Sequence, residues 1–486
     1  MFYENIDENI NKIKLDFNES KDIKFRKINF KNNKILLVYN DALTDSKFIN
    51  EFIIEPIVSY KRISIFRNKF KLICNLVEGN NIIRVKDFND LYDYLTNGFS
   101  ILFVGDKCIA IESRRNLSRS ISEPIIEQTI SGPKDAFCED FKTNVGLVRK
   151  RIKSNNFVVE ETVIGRESKT RIGILYMKNI IENDLLNEIK EKINSINIDG
   201  VFDSTYISQI LKSSNSAFAT IESTERPDFA SMQLLEGKIC ILVENSPFVL
   251  LIPTFFIDLF HSPEDYYQIP KNVTFTRLIR IISFFIAIIL PAFYIAITTF
   301  NHETIPITLI VNFASQNYGV PFPTVVEALG MILIFEILRE SDIRMPSTSG
   351  SAISILGAIV LGDAAVTAGI VSPIMVIIIA TSSICSLMFS HVAMVNAIRL
   401  WKIIFIIFAS FFGLVGIVLG IFLLLIEICS LKSFGKPYLY PMIPLNTNFL
   451  NDTFVLRNIR KRQKRNPLLT DTNYTRSRLW KNYYFY

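Results

Sequence analysis

Leu278 to Phe300 reads LIRIISFFIAIILPAFYIAITTF, a stretch of 23 residues in which Arg280 is the one charged side chain. As a helix it would extend roughly 35 Å at about 1.5 Å per residue, which is enough to cross a hydrocarbon core of about 30 Å. More apolar segments follow: Val325 to Leu338, Ser351 to Ile370, Pro373 to Ile398 and Ile403 to Cys429. The five segments predict an α-helical multi-pass transmembrane domain over 277–430.

The residues before this region have a different composition. The chain has 486 residues, 49% hydrophobic and 21% charged, but most of the charge lies in residues 1–276. That split disfavours a purely cytosolic enzyme, a disordered chain and a secreted disulfide scaffold. The six cysteines are scattered without a CxxC pair, which indicates free thiols in a reducing compartment. Met1 to Leu15 has no apolar core typical of a signal peptide, so we expect the N-terminal region to stay in the cytoplasm.

The N-terminal region is predicted to form two α/β lobes, 1–120 and 121–270. Alternating or short apolar runs indicate strands, and a 3.6-residue period indicates helices. The predicted strands are Ile23 to Phe30, Lys34 to Tyr39, Ile82 to Val85, Ser100 to Val104, Gly173 to Met177 and Lys238 to Glu244, and the predicted helices are Ser46 to Val58, Phe88 to Leu95 and Asp184 to Ile196.

Two further patterns concern how the lobes are built. A linker helix is expected to begin at Ser131-Gly132-Pro133, because serine can cap a helix and proline is tolerated in its first turn. A hairpin pattern around Gly105-Asp106-Lys107 recurs around Asn245-Ser246. This echo is as consistent with chance as with an internal repeat.

The chain end, 431–486, is predicted to be a basic cytoplasmic tail. Residues 451–486 hold nine basic residues against two acidic ones, a net charge of +7. Such a segment after apolar spans typically lies on anionic lipid, and nucleic-acid binding is the weaker interpretation. Five full crossings would place this tail outside. Because Ser351 to Ile370 is rich in small residues and polar at its start, we expect it to be re-entrant, with both termini cytoplasmic.

The sequence lacks the signatures of enzyme chemistry. There is no GxxxxGK[ST] motif and no GxGxxG after a strand, and His302-Glu303 lacks the second histidine of a zinc-protease helix. The three histidines, His261, His302 and His391, lie far apart, so neither a metal cluster nor a catalytic triad is predicted. We therefore expect no enzyme, no catalytic residues, no metal and no cofactor.

Polar groups within the apolar segments are the candidate site residues. A charged side chain near the bilayer centre costs at least ~2.5 kcal/mol, so Glu327 and Glu336 should face protein or water. They are nine residues apart and so lie on opposite faces of one helix. We expect one to line an ion path while the other pairs with Arg339. Ion pairing at an interface or at headgroup depth is the alternative.

Asp363 and Val366 are the other candidates for the ion path. They lie among small residues that allow helices to approach closely, and we expect Gly357, Ala365 and Gly369 to pack helices or subunits together. Tight packing inside one subunit, without any pore, is the alternative.

Several motifs also follow one another in a recognisable order. The first part contains Ser131-Gly132-Pro133-Lys134-Asp135-Ala136-Phe137, Thr143-Asn144 to Arg149, Thr224-Glu225-Arg226-Pro227-Asp228, Leu235-Glu236-Gly237 and Ser262-Pro263-Glu264-Asp265-Tyr266-Tyr267. The apolar part contains Leu290-Pro291-Ala292-Phe293-Tyr294, Val320-Pro321-Phe322-Pro323, Phe335-Glu336-Ile337-Leu338-Arg339-Glu340, Ile343-Arg344-Met345-Pro346 and Phe434-Gly435-Lys436-Pro437-Tyr438. Over about Ser120 to Pro444 this set closely resembles the A-subunit of bacterial spore germinant receptors, the GerA family. Asp363 departs from the expected pattern, which has a neutral amide there.

The resemblance implies a receptor subunit in the spore inner membrane. Its expected partners are a transporter-like B-subunit that senses the nutrient, a lipoprotein C-subunit, membrane lipids and further copies of itself in a ring with an ion-conducting pore. We therefore expect a gated cation channel that triggers spore germination. A secondary transporter is the rival, because Asp363 on a broken segment is typical of a midplane binding site. A closely related alternative is a membrane protein like those of the stage V sporulation protein AF group.

Overall fold

The computed structural model describes residues 2–30, 33–60, 69–79, 81–116, 123–124, 126–212, 215–304, 306–344, 362–446 and 449–476. The chain divides into two compact units. The first unit contains both lobes and the chain from Ile459 onward. The second contains Thr254–Asn458 and a short segment that ends at Thr220.

The first lobe is a five-stranded antiparallel sheet with helices on both faces. The strand order is β1-β2-β4-β5-β3. Side chains along β2 point alternately to the two faces of the sheet. Leu36 and Val38 therefore belong to the hydrophobic cluster on one face, and Ile35 and Leu37 belong to the cluster on the other. The elements are α1 (Ile6–Asp16), β1 (Ile23–Phe30), β2 (Asn33–Asn40), α2 (Ser46–Phe48), a π-helical turn (Ile49–Ile54), α3 (Glu55–Val58), α4 (Lys69–Leu76), β3 (Ile82–Val85), α5 (Phe88–Thr96), β4 (Phe99–Val104) and β5 (Lys107–Glu112).

The second lobe repeats that topology. Its antiparallel sheet has the order β6-β7-β9-β10-β8, so each strand occupies the place of the strand five numbers earlier. The hairpin echo in the sequence corresponds to β4-β5 and β9-β10, at matching positions of the two sheets. The elements are α6 (Phe141–Arg151), β6 (Phe157–Ile164), β7 (Thr170–Met177), α7 (Asn183–Asn194), α8 (Ser204–Leu211), β8 (Glu222–Thr224), α9 (Pro227–Glu236), β9 (Ile239–Val243) and β10 (Val249–Ile252).

The predicted strands and helices of both lobes are confirmed to within a few residues, but the linker helix begins later than predicted. Residues 131–140 are not helical. The helix starts at Phe141, because the Asp140 side chain accepts a hydrogen bond from the Thr143 N–H at 2.9 Å. Upstream, the Phe137 N–H donates to the Glu225 carbonyl at 2.7 Å, which holds the chain extended.

The second unit is a group of apolar helices. Among the described residues, two helices are long and apolar enough, by length and composition, to cross a membrane, namely α10 (Pro270–Thr299) and α15 (Val392–Ser430). The others are α11 (Ile307–Asn317), α12 (Thr324–Arg344), α13 (362–367) and α14 (Pro373–Ser386). Large apolar side chains are exposed along α10 and α15, for example Ile282, Phe411 and Ile426. Such a surface is typical of a protein in contact with lipid.

The helix α15 is two arms, 392–412 and 414–430, joined by a sharp reversal. Gly413 has φ 60° and ψ −137°, outside the helical region. A Cβ on Gly420 would lie 3.0 Å from the Phe405 ring, whereas a straight helix would separate the two positions by roughly 22 Å. The Leu414 N–H donates to Asn301 Oδ1 at 3.2 Å, so the reversal lies beside the end of α10.

The predicted re-entrant segment and the predicted basic tail both belong to the C-terminal part of the chain. The segment Ser351 to Ile370 was expected to be re-entrant, but residues 351–361, Gly357 among them, lie outside the described residues. The tail was expected to lie on lipid. Instead, Arg465 Nε donates to the Leu235 carbonyl at 2.7 Å and Arg476 pairs with Glu236. Each of these two cations therefore has a partner on α9 of the second lobe, and Arg465 also donates to Asn473 and Thr475 within the tail.

Candidate functional site

A buried ion pair joins the two lobes. Asp22 precedes β1 in the first lobe, and Arg149 lies on α6, which leads into the second. Arg149 Nε donates to Asp22 Oδ2 at 2.9 Å and Nη2 donates to Oδ1 at 3.0 Å. The side chains are 0% and 3% exposed. This fork-to-fork geometry is the strongest form of ion pair and fixes orientation as well as distance.

The rest of the Arg149 guanidinium is also satisfied. Nη1 donates to the Ser154 carbonyl at 2.9 Å, and the guanidinium lies 4.4 Å from the centre of the Phe157 ring. Burial lowers the pKa of Arg149, and the charge and hydrogen bonds of Asp22 act in the opposite direction. Beside the pair, the Lys21 N–H donates to the Val159 carbonyl at 2.9 Å. Side-chain and backbone hydrogen bonds therefore both connect the two lobes at this joint.

A second buried arginine braces the loop that carries the Ser131-Gly132-Pro133 motif. Arg226 donates to the Pro133 carbonyl at 2.7 Å and to the Glu127 carbonyl at 3.1 Å. Its own helix supplies Asp228, which accepts at 2.9 Å. Two motifs that are far apart in sequence thus contact each other, and their charged residues serve the conformation of this loop.

In the second unit, Glu327 is buried at the start of α12 and only 4% exposed. Its Oε1 accepts hydrogen bonds from the Ser372 hydroxyl, at 2.6 Å, and from the Ser372 N–H. Ser372 is the N-cap of α14 and also accepts from the Met375 N–H. The carboxylate therefore lies at the positive end of the α14 dipole. Its expected role in an ion path stays a prediction.

Glu336 lies on the same helix and contacts a different neighbour. Arg399 Nη2 on α15 lies 2.5 Å from Glu336 Oε2. The ion-pair partner is thus Arg399 and not Arg339, the residue expected from the i+3 spacing. The physical reason is that α15 brings a guanidinium across from another helix, which sequence spacing within α12 cannot reveal. Lys402, one turn further along α15, is buried near the same carboxylate.

The remaining predicted residues lie on and after α13. Asp363 is exposed, while Ala365 and Val366 are half-buried. Gly369 has φ 67°, and a Cβ there would lie 3.3 Å from the Gly319 carbonyl oxygen. Only glycine combines this left-handed backbone with so close an approach. Gly357 lies outside the described residues, so these groups keep their predicted roles as hypotheses.

Sequence reasoning missed a cluster at the start of α10. Arg277 and Arg280 both pair with Asp265, at 3.1 and 2.8 Å. Arg277 also donates to Asp452 Oδ1 and to the Thr453 carbonyl. The sequence does contain an indication of this cluster, because Asp265 belongs to the Ser262-Pro263-Glu264-Asp265-Tyr266-Tyr267 motif. The cluster ties the segment before α10 and the segment after residue 449 to the helix.

These features, a two-lobed α/β domain followed by apolar helices that enclose the buried carboxylate of Glu327, are typical of a membrane-associated protein. The sequence model of the Bacillus/Clostridium GerA spore germination protein family matches residues 11–468. The chain therefore belongs to the GerA family, a family of spore germination proteins and not of enzymes.

Individual relatives agree with this assignment. Spore germination protein KA of Bacillus subtilis (strain 168) is 37% identical over 92% of this chain and 83% of its own length. Spore germination protein XA of Bacillus anthracis is 31% identical over 91% of both chains. The uncharacterized membrane protein YfkQ of Bacillus subtilis (strain 168) is 33% identical over 93% of this chain and 88% of its own length.

One solved structure is also similar. It is the crystal structure of the N-terminal domain of the A subunit of the Bacillus megaterium spore germinant receptor GerK3. It is 26% identical and covers 52% of this chain and 97% of that domain, with a TM-score of 0.39.

Proposed function

We propose that this chain is the non-enzymatic A-subunit of a nutrient germinant receptor in the spore inner membrane, and that several copies assemble around a gated cation path. The family and its relatives support the role in germination. The channel and the assembly are inferred from the polar groups of the second unit. Nutrient binding on a partner would open the path and release cations from the spore.

The main observation in support of a channel is the exposure of Asp363. This carboxylate lies on α13, within a unit whose outer surface is largely apolar. Facing lipid, it would cost at least ~2.5 kcal/mol, so it must face water, protein or both. A ring of subunits that places Asp363 at a central aqueous path meets this requirement, and rings of carboxylates are a common way to select cations. Val366, on the same helix, would form the constriction.

The reversal at Gly413 supports a topology with both termini in the cytoplasm. The sequence contains five apolar segments, and α15 folds the last one back on itself. This fold-back adds one crossing to α15, and an even number of crossings returns the chain to the side on which the helices begin. Cysteines introduced near Ile459 should resist an impermeant reagent applied to the outer face of intact cells. Labelling from outside would reject this topology.

The proposed partners follow from the family. We expect a transporter-like B-subunit, a lipoprotein C-subunit and anionic lipid around the helices. Co-purification of a tagged chain with both subunits from sporulating cells would test the assembly. The exposed apolar faces of α10 and α15 are the surfaces available for lipid and for other subunits.

Conductance of the purified full-length protein in planar bilayers tests the channel directly. We expect cation-selective currents that fall when Asp363→Asn or Glu327→Gln removes a carboxylate. Glu303→Gln is the matched control, because Glu303 is exposed in the turn after α10. If the Asp363→Asn and Glu327→Gln proteins assemble and give normal currents, the proposal that these carboxylates line a cation path is wrong. Transport that requires a coupled ion gradient would favour the secondary transporter.

A further inference from the structure

Four elements bring oxygen atoms together around Glu327. Tyr294 comes from α10, Asn317 from the last position of α11, Glu327 from α12 and Ser372 from the N-cap of α14. Tyr294 is 3% exposed, and its hydroxyl lies next to the Ser372 and Asn317 side chains and near the Glu327 carboxylate. All four belong to the second unit.

Two of these oxygens, Tyr294 Oη and Asn317 Oδ1, make no hydrogen bond of standard length and angle among the described residues, although they lie close to each other. Both atoms are inaccessible to water. Burying a polar group without a partner is unfavourable, and native proteins do so mainly where a ligand, ion or water completes the site. The two atoms therefore point to an occupant.

The electrostatics of the cluster favour a cation. Both hydrogen bonds that Ser372 gives to Glu327 use Oε1, so among the described residues Oε2 accepts none. Asn317 ends α11, where the helix dipole places partial negative charge. One formal negative charge and several neutral oxygens balance a monovalent ion, whereas divalent ions in proteins usually take more carboxylates or keep several waters.

We propose that Glu327 Oε2, Tyr294 Oη and Asn317 Oδ1 bind a single Na⁺ or K⁺ inside each subunit, with Ser372 holding the carboxylate in position. Helix ends that meet within a membrane are a known setting for such ions. The site joins α10, α11 and α12 within one chain. It goes beyond the proposed channel, because binding requires neither conduction nor assembly.

Equilibrium binding of ²²Na⁺ and of ⁸⁶Rb⁺, as a K⁺ substitute, to the full-length protein in nanodiscs tests the site. We expect saturable binding of about one ion per chain, displaced by NaCl or KCl but not by choline chloride. Tyr294→Phe removes one oxygen and keeps the ring, and should weaken binding about tenfold or more. Asn317→Asp adds a charge and should tighten it. Tyr318→Phe, at a side chain 94% exposed, should bind like the wild type.

The controls separate binding from folding and from conduction. Asn312→Ala, on the exposed side of α11, controls for changes to that helix. Absence of saturable binding by the wild type, or equal affinities of the wild type, Tyr294→Phe and Asn317→Asp, would overturn the site. Binding without currents would reject the channel alone, and currents without binding would reject this site alone.

Discussion

Arg149 in the lobes and Glu327 among the apolar helices are both almost fully buried, but their surroundings differ. Every nitrogen of the Arg149 side chain donates a hydrogen bond, two of them to Asp22. Around Glu327, by contrast, Tyr294 and Asn317 keep oxygens that make no hydrogen bond of standard length and angle among the described residues. The first arrangement is complete as it stands, whereas the second requires an additional ligand.

This difference indicates that the buried charge of Arg149 has a structural role, whereas the buried charge of Glu327 has a role in binding. A saturated pair contributes little net stability compared with a well-packed apolar contact, but it penalises every geometry that separates the partners. An unsaturated cluster gains stability only when something binds. We therefore expect substitutions in the lobes to change folding, and substitutions around Glu327 to change ion binding and conduction.

The largest effect is expected from Arg149→Ala. It leaves Asp22 buried without its partner, which typically costs about 3–5 kcal/mol. Thermal unfolding and limited proteolysis of the full-length protein should show a destabilised lobe pair. Lys150→Ala is the matched control on the same helix, because Lys150 is exposed and such a change usually stays within about 0.5 kcal/mol. Equal stability of the two variants would contradict a structural joint.

Gly416→Ala tests whether the stability of the second unit depends on the close approach of the two backbone arms of α15 and not on charge. An added Cβ would collide with the Phe408 carbonyl oxygen of the other arm of α15. Overpacking of this kind typically costs about 1–3 kcal/mol. Gly330→Ala is the control, since a Cβ there meets no described atom within 4 Å. A lower unfolding temperature for Gly416→Ala alone is expected, and unchanged stability would contradict the folded-back arms.

Ala365→Leu and Val366→Ala test whether α13 packs between subunits or inside one subunit. Both side chains are half-buried. Helices in lipid gain contacts by approaching closely through small residues. Leucine at position 365 should therefore block assembly, and alanine at 366 should widen a constriction and release ions without nutrient. Protein abundance, oligomer size and nutrient-free ion release should be measured together. Lower abundance of both variants without a leak would place these residues inside one subunit.

The smallest effect concerns Asp140, a half-exposed charge in the lobes. Burial raises the pKa of Asp140, but the hydrogen bonds from Thr143 and nearby cations outweigh it, so the pKa lies below its usual value. Its stabilising contribution is therefore present above about pH 4 and is lost as pH falls through the lowered pKa. Asp140→Asn keeps the helix cap and should show a flatter loss of stability between about pH 5 and 3. An unchanged acid dependence would contradict this.

The sequence was sufficient for features that depend on neighbouring residues. Alternation located β1 and β3, and the length of the apolar segments located α10. Contacts between distant residues could not be predicted. Nothing near Glu336 in the sequence indicates Arg399, and a continuous apolar segment conceals the reversal at Gly413. The start of α6 was missed because the Asp140 cap competes with Ser131, and only tertiary contacts decide between them.

The joint between the lobes has a consequence for synthesis. Asp22 and Arg149 are 127 residues apart. At translation rates of about 5–20 residues per second, roughly 6–25 s pass between their emergence from the ribosome. During that interval the first lobe carries the Asp22 carboxylate without its arginine partner. The nascent chain therefore has a time window in which a chaperone or a misplaced arginine can occupy Asp22, and codons that slow translation before Arg149 would lengthen it.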